Sequence, residues 1–297
     1  MAYKAGYVAL VGKPNVGKST LTNRIVGQKV SIVSNKPQTT RRRVLGIATT
    51  PEWQIAFIDT PGIHEPHTAL GKTMVDQARA SFTELDVLVY VADGAHYPGE
   101  GDRSIARMLE DVKDLPRIVC MNRMDQLKAE DVERNIQAYT ELLGTEEYML
   151  TTATRGDNVD RLVEMIVNRL PERAPMYDED EFTNQSTRFL ASELVREKIL
   201  IATRQEVPHS VAVMIEGWEE EEDTGLVRID AVILVEKASQ RGILIGKGGQ
   251  FVKTVGQKAR EEIEPLLGRK VFLTLQVKVS EGWRMNPRIV HELSYDQ

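Results

Sequence analysis

Cysteine is almost missing from this chain: Cys120 is the single thiol among 297 residues. One thiol cannot form an internal disulfide, which fits a reducing compartment. Long apolar runs are missing as well, and none approaches the roughly 20 residues a membrane-crossing helix needs. The first eleven residues hold a short apolar stretch, but no extended hydrophobic segment and no small-residue cleavage site. They read as a strand rather than a secretory leader. There is no internal repeat and no low-complexity tract. An excess of positive charge is also lacking: the formal balance is -6, which taken alone argues against nucleic-acid binding.

What is present is ordinary for a soluble globular protein, at 41% hydrophobic and 28% charged. The length suits two domains, each able to bury its own core. Charge is distributed unevenly. Acid concentrates at 178–181 and 219–223, while basic residues crowd the stretch 237–288. A binding footprint belongs to a surface, so the average does not decide the matter.

Residues 7–11, 55–58, 87–92 and 117–121 read as short buried strands. Helical patterns at 18–26, 73–85 and 104–111 separate most of them, and a helix at about 159–170 follows. This alternation predicts an α/β fold with a mostly parallel sheet and helices on both faces. Pro171, Pro175 and the acidic run 178–181 read as a linker. The reading is therefore a first domain at 1–172, a linker at 173–185 and an α+β second domain at 186–297. In that second part a helix at 186–203 precedes paired strands at 210–216 and 227–235. A helical piece at 240–245, a glycine loop, a helix at 250–267 and a strand at 271–279 complete it.

Ligands bind at the carboxyl ends of parallel strands, and the informative residues lie there. Gly12-Lys13-Pro14-Asn15-Val16-Gly17-Lys18-Ser19 matches G-x-x-x-x-G-K-[ST] between a strand and a helix. Its backbone N–H groups and the helix N-terminus suit phosphates, with Thr20 continuing the contacts. Lys18 is expected at the outer phosphates and Ser19 at Mg²⁺. Asp59, at a strand end, is suited to hold Mg²⁺ through water. Gly62 can turn its N–H toward a γ-phosphate. Asn122-Arg123-Met124-Asp125 also follows a strand. The Asp125 carboxylate can accept from the guanine N1 and N2 edge, a donor pair adenine lacks.

These motifs, in this order and each after a strand, resemble the Era-like branch of the translation-factor GTPases. The resemblance places Thr40, with Thr39 as alternative, as the γ-phosphate-sensing Mg²⁺ ligand of a first switch around Gln38. It puts guanine contacts at Thr152 and at the backbone N–H of Ala153, where the family usually reads S-A-K. The family's N-K-x-D lysine is replaced here by Arg123. Ile63 stands where Ras-type GTPases carry the water-orienting glutamine, as it does in this branch, so slow intrinsic hydrolysis is implied. His64 reads as an exposed switch residue rather than a substitute. Related GTPases use an asparagine at the Asn15 position to hold K⁺, and the alternative is that Asn15 only shapes the loop. The catalytic set is thus Lys18, Thr40, Gly62 and Asn15, with GTP or GDP, Mg²⁺ and optionally K⁺ as cofactors.

Gly246-Lys247-Gly248-Gly249 is a G-x-x-G loop between two helical patterns, and Lys253, Lys258 and Arg260 follow it. Such a loop alone is a weak signal, but the surrounding order of helices and strands resembles a type II KH domain, whose loop clamps a nucleic-acid backbone. Residues 236–241 and 268–273 flanking this region resemble the Era family's own KH region. That resemblance covers nearly the whole chain. It implies a GTP-driven switch that binds 16S ribosomal RNA near its 3′ end during 30S subunit maturation in the cytoplasm. Peripheral association at the inner membrane stays an alternative, without any anchor motif. Two rivals stand beside it: a GTPase whose C-terminal part docks proteins, and an RNA chaperone with a vestigial GTPase half. Cys120 and Trp283 read as core, and Arg41 to Arg43 as a solvated or RNA-touching face.

Overall fold

The computed structural model describes residues 2–36, 39–40, 44–59, 85–112, 114–204 and 206–295. Expectations that fall on Gln38, Arg41 to Arg43, Gly62, Ile63 and His64 lie outside the described residues, as does nearly all of the helix expected at 73–85. The chain divides into two compact units. Among described residues the first ends at Asn184, and the second takes everything from Gln185 together with Ser34 to Lys36 and Thr39.

The first unit runs β1 (Lys4–Val11), α1 (Lys18–Val26), β2 (Val44–Thr49), β3 (Trp53–Asp59), β4 (Val87–Asp93), α2 (Glu100–Met108), β5 (Arg117–Asn122), α3 (Val132–Leu143), β6 (Tyr148–Leu150) and α4 (Val159–Arg169). The strands order β2-β3-β1-β4-β5-β6. All pairings are parallel except β2 with β3. Near-continuous apolar sequences suit strands buried on both faces. Alternate residues of β1 feed opposite cores: Ala9 and Val11 join Tyr90 and Tyr139 on one side, Val8 and Leu10 join Val89, Val91 and Cys120 on the other.

Parallel pairing brings the carboxyl ends of β1, β3, β4 and β5 to one edge. Leu10 pairs with Asp59, and Asp93 with Asn122, so the motif residues that follow are neighbours. The helix expected at 104–111 instead starts at Glu100, because the Asp102 carboxylate accepts the Gly99 N–H at 2.8 Å and caps an earlier turn. The stretch expected to be a linker is held on this unit. The Gln54 side-chain oxygen accepts from the N–H groups of Met176 and Tyr177, Arg173 pairs with Asp86 at 3.2 Å, and Thr183 donates to the Leu45 carbonyl at 2.6 Å. Its prolines and acids mark exposed chain, but the fully buried Gln54 needs acceptors and donors, and this stretch supplies them.

The second unit contains α5 (Thr187–Ala202), α6 (Val207–Ser210), β7 (Ala212–Glu220), β8 (Val227–Val235), α7 (Ala238–Ile245), α8 (Gln250–Leu267), β9 (Val271–Val279) and α9 (Pro287–Tyr295). β8 lies between β7, antiparallel to it, and β9, parallel to it. Ser186 caps α5 by accepting the Phe189 N–H at 3.1 Å. Trp283 is fully buried and donates its indole N–H to the Ser210 carbonyl at 2.9 Å, so it is core. Arg196, also buried, pairs with Glu193 at 2.6 Å and donates to the Thr39 carbonyl.

Candidate nucleotide site and nucleic-acid groove

The phosphate loop joins β1 to α1. Gly17 sits at φ 107, and a Cβ there would lie 2.2 Å from the Asn122 amide nitrogen. Only glycine meets both conditions. Asn15 also takes a left-handed conformation, at φ 64, a turn geometry asparagine tolerates. Lys18 is buried and its ammonium donates to the carbonyls of Gly12 and Lys13, each at 2.9 Å. Burial lowers its pKa to about 8, opposed by the Asp59 charge. A group so held gains from an arriving anion, which restores preference for the charged form.

Ser19, Thr40 and Asp59 converge. Ser19 Oγ donates to Asp59 Oδ2 at 2.7 Å and lies 3.0 Å from Thr40 Oγ1. Ser31, not singled out by sequence, also donates to Asp59 Oδ2 at 2.7 Å. Asp59 is completely buried, and its Oδ1 has no partner among the described residues. Burial raises the Asp59 pKa, opposed by Lys18 and by hydrogen bonds from Ser19, Ser31 and Thr40. Two hydroxyls and a carboxylate with an orphaned oxygen are hard donors, and they fit Mg²⁺ or its water.

The base side is built on β5 and the loop after β6. Asn122 donates to the Val16 carbonyl at 2.7 Å and accepts the Ala153 N–H at 2.9 Å, so it staples the phosphate loop to the 151–154 segment. The Ala153 N–H, expected at the base, is held here by Asn122. Thr152 is buried. Asp125 is exposed, in the turn Met124–Gln126. Arg123 donates to the Asn15 carbonyl and to Asp93 at 3.0 Å. It therefore keeps the link to the phosphate loop that a lysine would make and adds an ion pair.

In the second unit, Gly246-Lys247-Gly248-Gly249 lies between α7 and α8. Gly246 sits at φ 70, and a Cβ there would come within 2.7 Å of the Phe251 Cβ. A groove of about 790 Å³ opens beside this loop. Gly246, Lys247 and Lys258 line it, with Phe251, Thr254 and Val255 along α8 and Lys198, Ile201 and Ala202 from α5. Lys253 and Arg260 are exposed but do not line it. They sit seven residues apart, on a different face of α8 from the groove-lining positions. The α5 wall was invisible to sequence reading. Packing alone reveals it, by leaving Ile201, a large apolar side chain, 60% exposed there.

A model described as 50S ribosome-binding GTPase matches residues 7–123, and a KH domain model matches 206–284. GTPase Era of Heliobacterium modesticaldum is 45% identical over 294 residues, covering 99% of this chain and 98% of the relative. The chain belongs to the Era GTPase family. GTPase Era of Caldanaerobacter subterraneus is 44% identical, with 99% of each chain covered. Among solved structures, Era in complex with MgGDPNP and nucleotides 1506–1542 of 16S ribosomal RNA matches with TM-score 0.94, 41% identity and 99% coverage of both chains. A variant of Aquifex aeolicus Era bound to GDP·AlF4⁻ matches with TM-score 0.94 and 41% identity, over 98% of this chain and 99% of that one. Family membership places a P-loop GTPase unit and a KH unit in one protein.

Proposed function

We propose that this protein is a GTP-hydrolysing switch that binds 16S ribosomal RNA near its 3′ end and acts in assembly of the 30S subunit. The observation that carries the proposal is the convergence of Ser19, Thr40 and Asp59, with a buried Asp59 oxygen that has no partner among the described residues, beside the phosphate loop. Family relatives with solved structures hold MgGDPNP with 16S RNA, or GDP·AlF4⁻. Gly12 to Thr20 cradle the phosphates, Lys18 carries positive charge to the outer ones, and Asp125 reads the guanine edge with Asn122, Arg123, Thr152 and Ala153 in support. Ser19, Thr40 and Asp59 hold Mg²⁺, which when bound neutralises developing phosphate charge. Thr40 reports the γ-phosphate through the hydroxyl that lies 3.0 Å from Ser19 Oγ in this group. Gly62 offers its N–H to the same phosphate, and Asn15 holds K⁺ there. The groove at Gly246 to Gly249 takes the RNA backbone, with Lys247 and Lys258 on phosphates and Phe251 as an apolar wall. Lys253 and Arg260, exposed on another face of the same helix, add positive charge to the RNA-binding unit.

The deciding experiment is GTP hydrolysis by the purified protein in KCl and in matched NaCl, with and without RNA carrying the 3′ end of 16S ribosomal RNA. Stimulation by that RNA supports one switch spanning both units. Faster turnover in KCl than in NaCl supports Asn15 as a K⁺ ligand. Bound GTP that is never hydrolysed under any condition would overturn the enzymatic reading.

A further inference from the structure

Asp102 belongs to none of the nucleotide-binding motifs, yet it is a completely buried carboxylate. Three donors converge on it. Lys13 reaches Oδ2 at 2.7 Å, the Tyr90 hydroxyl reaches Oδ1 at 2.8 Å, and the Gly99 N–H reaches Oδ2 at 2.8 Å. Tyr90 is itself fully buried, and burial beside Asp102 raises its pKa, so the phenol stays a donor. The Lys13 stem lies along Gly101, where a Cβ would come within 3.2 Å of the Lys13 Cδ. Removing Lys13 from this seat leaves a buried negative charge without its counter-ion, a costly state. The Lys13 ammonium is therefore committed to Asp102, and only its backbone faces the phosphate cradle.

That backbone matters, because the Lys13 carbonyl is one of the two acceptors holding the Lys18 ammonium. Two residues further on, the Asn15 carbonyl accepts from Arg123, which is paired with Asp93. Asp93 ends β4 and Asp102 lies in α2, so the two acids bracket one short connection. Each grips the phosphate loop through a cation.

Resting on the nucleotide reading above, we propose that Asp102 is a positioning residue of the phosphate loop, acting through Lys13 to fix the carbonyl that orients Lys18. The loop is then preorganised from the β4–α2 connection as well as by its own glycines. Preorganisation of this kind shows first in how long a bound nucleotide stays.

The test is the dissociation rate of a fluorescent GDP analogue, chased with excess GDP, for the wild type, Asp102→Asn, Lys13→Met and the double variant. Asp102→Asn is expected to release the analogue about tenfold faster, and the double variant to match Lys13→Met alone, because coupled residues are not additive. A purely structural role would lower the melting temperature and leave the rate within twofold of wild type, which overturns the proposal. Multiplying effects in the double variant overturn it too. A second measurement needs no variant: acetylation of Lys13 in the wild-type protein by a water-soluble amine reagent, followed by mass spectrometry. Equal labelling with and without GDP is expected. Strong protection by GDP would put the ammonium on the phosphates and overturn the proposal. Failure of the wild type to bind the analogue at all would overturn the nucleotide reading with it, whereas binding that is insensitive to Asp102 defeats this inference alone.

Discussion

At the scale of single residues, Arg123 is where this chain departs from the usual family lysine and where the geometry explains the departure. Its planar head reaches Asp93 and the Asn15 carbonyl together. A lysine ammonium is one point and cannot reproduce that fork. Arg123→Lys is expected to weaken GTP binding less than tenfold while leaving guanine preference intact, because Asp125 is untouched. Titration calorimetry with GTP and ATP checks both halves. Cys120 gives a pH prediction. Burial pushes its thiol up from the ordinary value of 9 to about 12, opposed by Thr151. The folded state thus keeps the proton that the unfolded state releases first. The stability this contributes is complete below pH 9 and is lost as pH rises toward 12, at about 1.4 kcal/mol per pH unit. Between pH 9 and 10 the wild type should lose stability more steeply than Cys120→Ala in urea titrations. Iodoacetamide should leave the native thiol unmodified at pH 8. The phosphate loop, Asp59 and Asp125 were legible because each motif is local and its chemistry is fixed by spacing. Asp102, Ser31 and Arg196 were not. Sequence reads a lone charged or polar residue as solvated, and only packing shows that its partners come from distant strands.

At the scale of elements, periodicity served where a segment is strongly patterned. α8 and β9 lie where their patterns placed them, and α5 begins one residue after its capping serine. Ser186→Ala should destabilise the second unit by about 1 kcal/mol through loss of one N-terminal cap, read as a shift in its denaturation midpoint. β2, α3 and β6 escaped the reading. β6 has three residues, too few for a period to register, and β2 owes its place to pairing with β3 rather than to a signal of its own. The G-x-x-G loop was legible as a loop, but its far wall was not, since α5 precedes it by more than forty residues. Lys247→Glu should weaken RNA binding at least tenfold and leave GTP binding within twofold, because it reverses a charge at the groove mouth. Filter binding and calorimetry on the same preparation separate the two.

For the whole molecule, a net charge of -6 and an RNA-binding role coexist because the sign that matters is local. If Lys247 and Lys258 in the groove meet phosphates, together with one of their exposed neighbours, the slope of log Kd against log salt should be about 2 for single-stranded RNA. A slope near zero would mean that base and shape contacts, rather than charge, hold the RNA. None of the described helices is long and apolar enough to cross a membrane.

The second unit is not one continuous piece of chain: it claims Ser34 to Lys36 and Thr39 from the N-terminal half, and Arg196 spends part of its hydrogen-bonding capacity on the Thr39 carbonyl. A gene fragment cut at residue 185 would therefore encode a KH fold lacking one of its own acceptors. The Arg196 Nη2 that donates to that carbonyl would turn to water instead, while its Nη1 has no partner among the described residues. Anyone dissecting this protein for crystallisation or screening inherits that defect, and a fragment that keeps residues 34–39 avoids it while leaving the Arg196–Glu193 pair intact.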